Sequence, residues 1–166
     1  RASPCPRPWS TATSRCPMPD PAAETVDYVA IQRLQAAYAD VVNRRAWPEL
    51  ADLFRPDAPV RIDTVTRPVI DLTGPTAVGD FIGAAIERFD FFQFVILNAV
   101  VDLEGDRATG RIFMCELRRD RESGHGSRAF GRYEDTYVRH DGRWWFAARD
   151  YRSLARTGRD EVFPWV

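Results

Sequence analysis

Residues 91–153 read FFQFVILNAVVDL-EGD-RATGRIFMCELRRDR-ESGHG-SRAFGRYEDTYVR-HDG-RWWFAARDYRS, and this stretch decides the fold. Four long segments rich in β-branched and aromatic residues, Phe91 to Leu103, Arg107 to Arg121, Ser127 to Arg139 and Arg143 to Ser153, are parted by short Gly- and Asp-bearing connectors. Such connectors make hairpin turns, so the four segments predict strands in hairpin succession.

Upstream the pattern is helical. Asp20-Pro21 offers an N-cap and a proline at the first helical position, and Val26, Ile31, Leu34, Tyr38, Val41 and Val42 follow at helical spacing. Pro48, Leu50, Leu53 and Phe54 predict a second, short helix, Val60 to Asp63 a short strand, and the run from Val78 to Phe89 after Gly74-Pro75 a third helix. Helices followed by a run of strands predict an α+β fold, a curved antiparallel sheet round three helices with a cone-shaped apolar hollow. The expected domain is 20–153. It is flanked by a Pro-rich tail over 1–19, of which 1–17 precede a natural-looking start at Met18, and by a C-terminal tail over 154–166.

The chain has 166 residues, and 23 basic against 24 acidic residues give a formal charge of -1. That balance, with no block of like charge, offers nucleic acid or an anionic membrane no footprint. No apolar run reaches the length of a membrane span, and the prolines of the first 24 residues interrupt any secretory signal, so the expected location is cytoplasmic. Cys5, Cys16 and Cys115 lack metal-ligand spacing, and there is no phosphate loop or dinucleotide fingerprint, so no cofactor and no metal is expected.

Several local signatures carry a resemblance. Tyr38 is followed by Asn43, Trp47 and Leu50-Ala51-Asp52-Leu53-Phe54 with Asp57-Ala58; then come Asn98, Leu103-Glu104-Gly105-Asp106-Arg107-Ala108, Gly131-Arg132-Tyr133-Glu134-Asp135, Asp141-Gly142-Arg143-Trp144 and Arg149. In order and spacing the chain resembles the SnoaL-like branch of the nuclear-transport-factor-two-like superfamily. The resemblance implies a curved sheet on three helices, commonly dimeric, with an apolar pocket and no single reaction.

The resemblance also implies where to look for chemistry. Dehydratase-like relatives pair an Asp with a His; the matching positions here are Ala37 and Phe94, and neither carries a proton. Isomerase-like relatives hold an oxyanion between a Tyr and a protonated Asp, and Tyr38 and Asp135 match those positions, while Ile62 replaces the base and Asp63 lies one residue off. Epoxide-hydrolase-like relatives bridge two carboxylates with an Arg; Arg149-Asp150-Tyr151 matches one motif and Glu116 can serve as the second carboxylate, but Met114 stands at the bridging Arg and Val60 and Ile62 at the water-binding pair. Asp40, His125 and His140 read as solvated.

Strand parity with the inward positions of the relatives expects Val60, Ile62, Phe92, Phe94, Asn98, Met114, Tyr133, Tyr137 and Trp144 to line the pocket. Tyr38, Asp135, Glu116 and Asp150 are the candidate catalytic groups, Tyr38 and Asp135 as hydrogen-bond donors and Glu116 or Asp150 as proton carrier. Two functions are expected from these residues: a binder of a small apolar cyclic or aromatic compound, with cofactor-free isomerase, cyclase or lyase chemistry, or a non-catalytic module whose pocket is structural. Trp145 and Tyr151, taken to face away from the pocket, predict a homodimer through the outer sheet face.

Overall fold

The structure is a computed structural model that describes residues 20–158. Its elements are α1 (Pro21–Arg44), a 3-10 turn (Trp47–Asp52), β1 (Pro59–Asp63), β2 (Ile70–Thr73), α2 (Gly74–Ile86), β3 (Phe89–Glu104), β4 (Arg107–Asp120), β5 (Gly126–His140) and β6 (Arg143–Thr157). The tail expected over 1–19 lies outside the described residues. β6 runs beyond the boundary expected at Ser153, while 159–166 again lie outside.

Helix α1 begins where its cap requires. The Asp20 carboxylate accepts from Ala22 N at 3.0 Å, Pro21 fills the first position, and Arg45 closes the helix in the left-handed conformation. Ile31, Leu34, Gln35, Tyr38, Val41 and Val42 form its buried stripe. The second helix is shorter than expected, a 3-10 turn; Phe54 leaves it to form a bridge with Phe146 and stacks on that ring at 4.7 Å. The third helix stops at Ile86, and Phe89 begins β3 instead. Gly74 starts α2 at φ 79°, with the Pro56 carbonyl 2.5 Å from where a Cβ would sit, so only glycine fits there.

Six strands form one open sheet in the order β2-β1-β6-β5-β4-β3. The fold is α+β, with one departure from a wholly antiparallel sheet: β1 pairs with β6 in parallel, and the unanticipated β2 covers β1 on the far side. α1 packs against the sheet's inner face, where Tyr38 meets Phe54, Phe94, Tyr133 and Phe146 edge-on with centroids 5.6–6.2 Å apart. Asn43 ties α1 to β3 by donating to the Phe94 carbonyl at 3.0 Å and accepting from its N–H at 2.7 Å. No described helix is long and apolar enough to cross a membrane.

Beyond an irregularity at Asp90 that lets Phe89 and Phe92 stack on one face, three bulges change which residues face inward. Leu97 is inserted in β3, so Asn98 pairs with Phe113 on the outer face and is exposed, and it does not line the interior as expected. Ala147 is inserted in β6, which turns Arg149, Tyr151 and Ser153 inward beside Trp144 and Phe146. Tyr151 therefore lies on the inner face, and the expected pairing of Trp145 with Tyr151 on the outer one is corrected. Leu154 is the third inserted residue, and Arg156 returns to the inner row.

Gly131 pairs with Ser153 on β6, and the Tyr151 ring lies over it; a Cβ at Gly131 would come within 2.3 Å of that ring. Gly131→Ala is expected to destabilise the protein by about 1–3 kcal/mol through overpacking. In a Tyr151→Ala background the same change should cost almost nothing, which a double-mutant cycle in denaturant measures.

Candidate functional site

The inner face carries a polar row in an otherwise apolar floor. Gly110, Asp135 and Arg149 are neighbours across β4, β5 and β6, and the small Gly110 leaves room for the Tyr137 ring above it. Arg149 Nε donates to Asp135 Oδ1 at 2.7 Å and Arg149 Nη2 to Oδ2 at 2.8 Å. Gln35 of α1 donates to Oδ2 at 3.0 Å and the Tyr137 hydroxyl to the same oxygen at 2.9 Å. Gln35 also donates to the Tyr137 hydroxyl.

This corrects the role expected of Asp135. Four donors converge on its two oxygens, so both are taken up as acceptors and neither is turned toward a bound oxyanion. The pair is sealed, with side-chain exposures of 2% for Arg149 and 0% for Asp135. Burial opposes the guanidinium charge, but Asp135 outweighs it and Arg149 holds its proton more tightly than a free guanidinium.

The face of Arg149 is caged by aromatic rings. Its Cζ lies 4.1 Å from the centroids of Tyr38 and Tyr133 and 4.4 Å from Phe146. Its Nη1 is buried with no acceptor, and Gln35 Oε1 is likewise unpartnered. Burial pushes the Tyr38 hydroxyl up, while the neighbouring Arg149 and Tyr133 act the other way. Tyr133 is pushed well up, chiefly by burial.

Glu116 stands nearer the open end of the same face, 3.5 Å from Arg118, with 23% of its side chain exposed. Burial raises its carboxyl above the ordinary range, and Arg118 and Arg156 only partly oppose this. Tyr151 is pushed up to about 12, first by burial and then by Glu116.

The remaining expected residues divide. Val60, Ile62, Phe94 and Met114 are buried on the inner face and Phe92 is half-buried. Tyr137 belongs to the Asp135 cluster. Trp144 is drawn away: its Nε1 donates to Asp27 at 2.9 Å, and it lines a hollow of about 840 Å³ beside α1 that Ala37 also lines. The helix residue against Phe94 is therefore Asn43, not Ala37.

Asp150 faces outward, its side chain 55% exposed and 3.9 Å from Arg61, so it cannot carry a proton into the interior. It lines an outer-face hollow of about 550 Å³ with Arg61, Asp71 and Glu134. Asp40 is solvated as expected and paired with Arg44 at 2.8 Å. Among the described residues no three His, Cys, Asp or Glu side chains converge on a metal site. Sequence reading missed Gln35; its signal was a polar side chain in phase with the apolar stripe of α1.

The fold has known counterparts. A family model described as a SnoaL-like domain matches residues 23–150. Among solved structures, a candidate scytalone dehydratase from Novosphingobium aromaticivorans is 24% identical, with 86% of this chain and 95% of that one covered and a TM-score of 0.74. A type 2 hexachlorocyclohexane dehydrochlorinase, LinA, is 18% identical with coverage of 89% and 98% and a TM-score of 0.75. Rv3472 of Mycobacterium tuberculosis, a protein of unknown function, is 22% identical with coverage of 81% and 76% and a TM-score of 0.67. At these identities the structural likeness speaks for the fold alone. Among curated proteins none matches the sequence.

Two outcomes follow from the electrostatics. Arg149→Met strands the Asp135 carboxylate and should cost about 3–5 kcal/mol in denaturant unfolding, the usual penalty for breaking a buried pair. Glu116, whose folded pKa is raised, binds a proton more readily folded than unfolded, so its contribution is present near pH 4 and is lost as pH rises toward the folded value. Unfolding of wild type and Glu116→Gln across that interval should show the variant gaining relative stability as pH rises.

Proposed function

This chain belongs to the SnoaL-like domain family, and on that premise we propose that it binds a small, largely apolar cyclic compound against the inner face of the sheet, beside α1. Arg149, Tyr38 and Tyr133 hold one acceptor oxygen of that compound. The observation that carries this reading is the buried Nη1 of Arg149, which has no acceptor although it sits among three aromatic rings. A buried donor without a partner costs about 1–3 kcal/mol, and a carbonyl or phenolic oxygen would remove that cost. Val60, Ile62, Phe94 and Met114 supply apolar walls for the ring body, with Phe92 nearer the rim.

A second reading, cofactor-free proton transfer of the isomerase, cyclase or lyase kind, is favoured by Glu116. It is the one candidate carboxyl on the inner face outside the Asp135 cluster, and its burial raises its pKa toward the range a general acid or base needs. The names of two structural neighbours, a dehydratase and a dehydrochlorinase, support elimination as the class. Neither reading gives Asp150 a part. A second copy of the chain would cover the outer face, where Leu97 and Val100 are 56% and 46% exposed and Phe113 and Phe130 lie half-buried between them and β6.

The test uses 2-naphthol, a flat apolar body with one oxygen. Tyr38→Phe and Tyr133→Phe keep the rings and remove the hydroxyls, and each should weaken naphthol binding by about 0.5–1.5 kcal/mol in calorimetry. Unchanged affinity in both variants would make the Arg149 cage a purely structural feature. Sedimentation at micromolar concentration should give twice the 18.9 kDa chain mass, and Leu97→Glu should return the monomer.

A further inference from the structure

Among the described residues, the end of the sheet's inner face near Glu116 holds more positive charge than its own side chains neutralise. Strand register sets Phe94, Glu116, Ala129 and Arg156 in one row across β3, β4, β5 and β6. Ala129 places only a methyl between Glu116 and Arg156. Arg118 follows on the inner face of β4, its guanidinium 5.3 Å over the Phe89 ring and 3.5 Å from Glu116.

The nitrogens of this cluster are not satisfied. Arg118 Nε and Arg156 Nε are both buried with no hydrogen-bond partner among the described residues. No described carboxylate lies within salt-bridge distance of Arg156, whereas the nearby Arg88 is held by Asp120 at 2.6 Å. Arg118 is pushed below the ordinary guanidinium range, first by burial and also by Arg156. Among the described residues two guanidiniums therefore have one carboxyl beside them, an excess of positive charge. Side-chain exposures of 23% for Glu116 and 14% for Arg118 keep the cluster reachable from solvent.

We propose that Arg118 and Arg156 form an anion subsite and that the cyclic ligand is a carboxylic acid, whose carboxylate takes the unpartnered guanidinium nitrogens and competes with Glu116 for Arg118. A single carboxylate neutralises the excess charge; a dianionic phosphate overshoots it. Guanidinium forks match a carboxylate two bonds at a time. The inference rests on the reading that the ring body lies against the inner face with an oxygen at Arg149. Tyr133 and Ala129 are four residues apart on β5, roughly 13 Å at the usual strand rise, with the Tyr151 ring over Gly131 between them, so an acid that reaches both ends must stack on that ring or displace it.

The test compares 2-naphthol with 6-hydroxy-2-naphthoic acid by calorimetry on the full chain at neutral pH. The acid should bind wild type at least about tenfold more tightly, the scale of one charge-assisted contact. Arg156→Gln should bring the acid to the affinity of naphthol, Arg156→Lys should retain part of the difference, and Glu116→Gln should strengthen the acid by removing its competitor. Thermal melts check that the variants are folded. Equal affinities in wild type, or a difference that survives both Arg156→Gln and Arg118→Gln, overturn the subsite. If naphthol binding still depends on the Tyr133 hydroxyl in that case, the subsite alone fails; if neither probe binds, both readings fall. An acid that binds through Arg156 with no dependence on Tyr38 or Tyr133 supports the subsite and overturns the oxygen site.

Discussion

A carboxylate and a guanidinium cannot be buried together cheaply, and the interior of this protein is arranged round that constraint. The effective penalty for taking each ion out of water is several kcal/mol, and only good geometry with further hydrogen bonds offsets it. Asp135 and Arg149 meet it by standing opposite each other on β5 and β6, where the ladder sets their spacing. Gln35 brings α1 into the same arrangement, so helix docking and strand register satisfy one ion pair jointly. A shift of one residue in β6 would aim Arg149 at solvent and leave Asp135 alone in an apolar core.

That constraint explains why the Tyr38 and Asp135 positions do not make an oxyanion hole here. A carboxyl donates only when its surroundings keep it neutral, and a bidentate guanidinium does the opposite. Positive charge on Arg149 is then spread under the faces of Tyr38, Tyr133 and Phe146, and these rings fill much of the space an empty cone would have offered. Asn43 and Phe94 show the same tendency at the other side of α1. The contact they make is a clamp on a strand backbone, which holds the helix to β3 and moves no proton.

Much of this architecture was legible in the sequence because it rests on local chemistry. Asp20-Pro21 starts a helix wherever it stands, and Glu104-Gly105-Asp106 and His140-Asp141-Gly142 turn a chain regardless of what packs on it. What was not legible was parity across long strands. Alternation fixes a face only until a residue is inserted, and Leu97, Ala147 and Leu154 carry no glycine or proline to mark the insertion. One bulge moved Asn98 out, and another brought Arg149 and Tyr151 in while Asp150 turned to solvent. β2 escaped notice because Ile70 to Thr73 is short and pairs only with the edge of β1. Gln35 was missed because a polar residue in an apolar stripe gains meaning only when its acceptor, Asp135, is a hundred residues away.

Position along the inner face separates fixed charge from responsive charge. Around Arg149 the charges of Asp135 and Arg149 are committed to each other, and changing either disturbs the core. Toward the Glu116 end the bulge at Leu154 returns Arg156 to the inner face, and Ala129 is too small to screen it from Glu116. Glu116 there faces two opposing influences, burial favouring its neutral form and the arginines its charged form, and burial is the stronger. A carboxyl so balanced responds to any charge that arrives beside it. An anion on Arg118 and Arg156 would weaken the pull of the arginines and favour the neutral carboxyl of Glu116 further, so occupancy of this end and the proton on Glu116 would be coupled by the same electrostatics that leave the pair of Asp135 and Arg149 fixed.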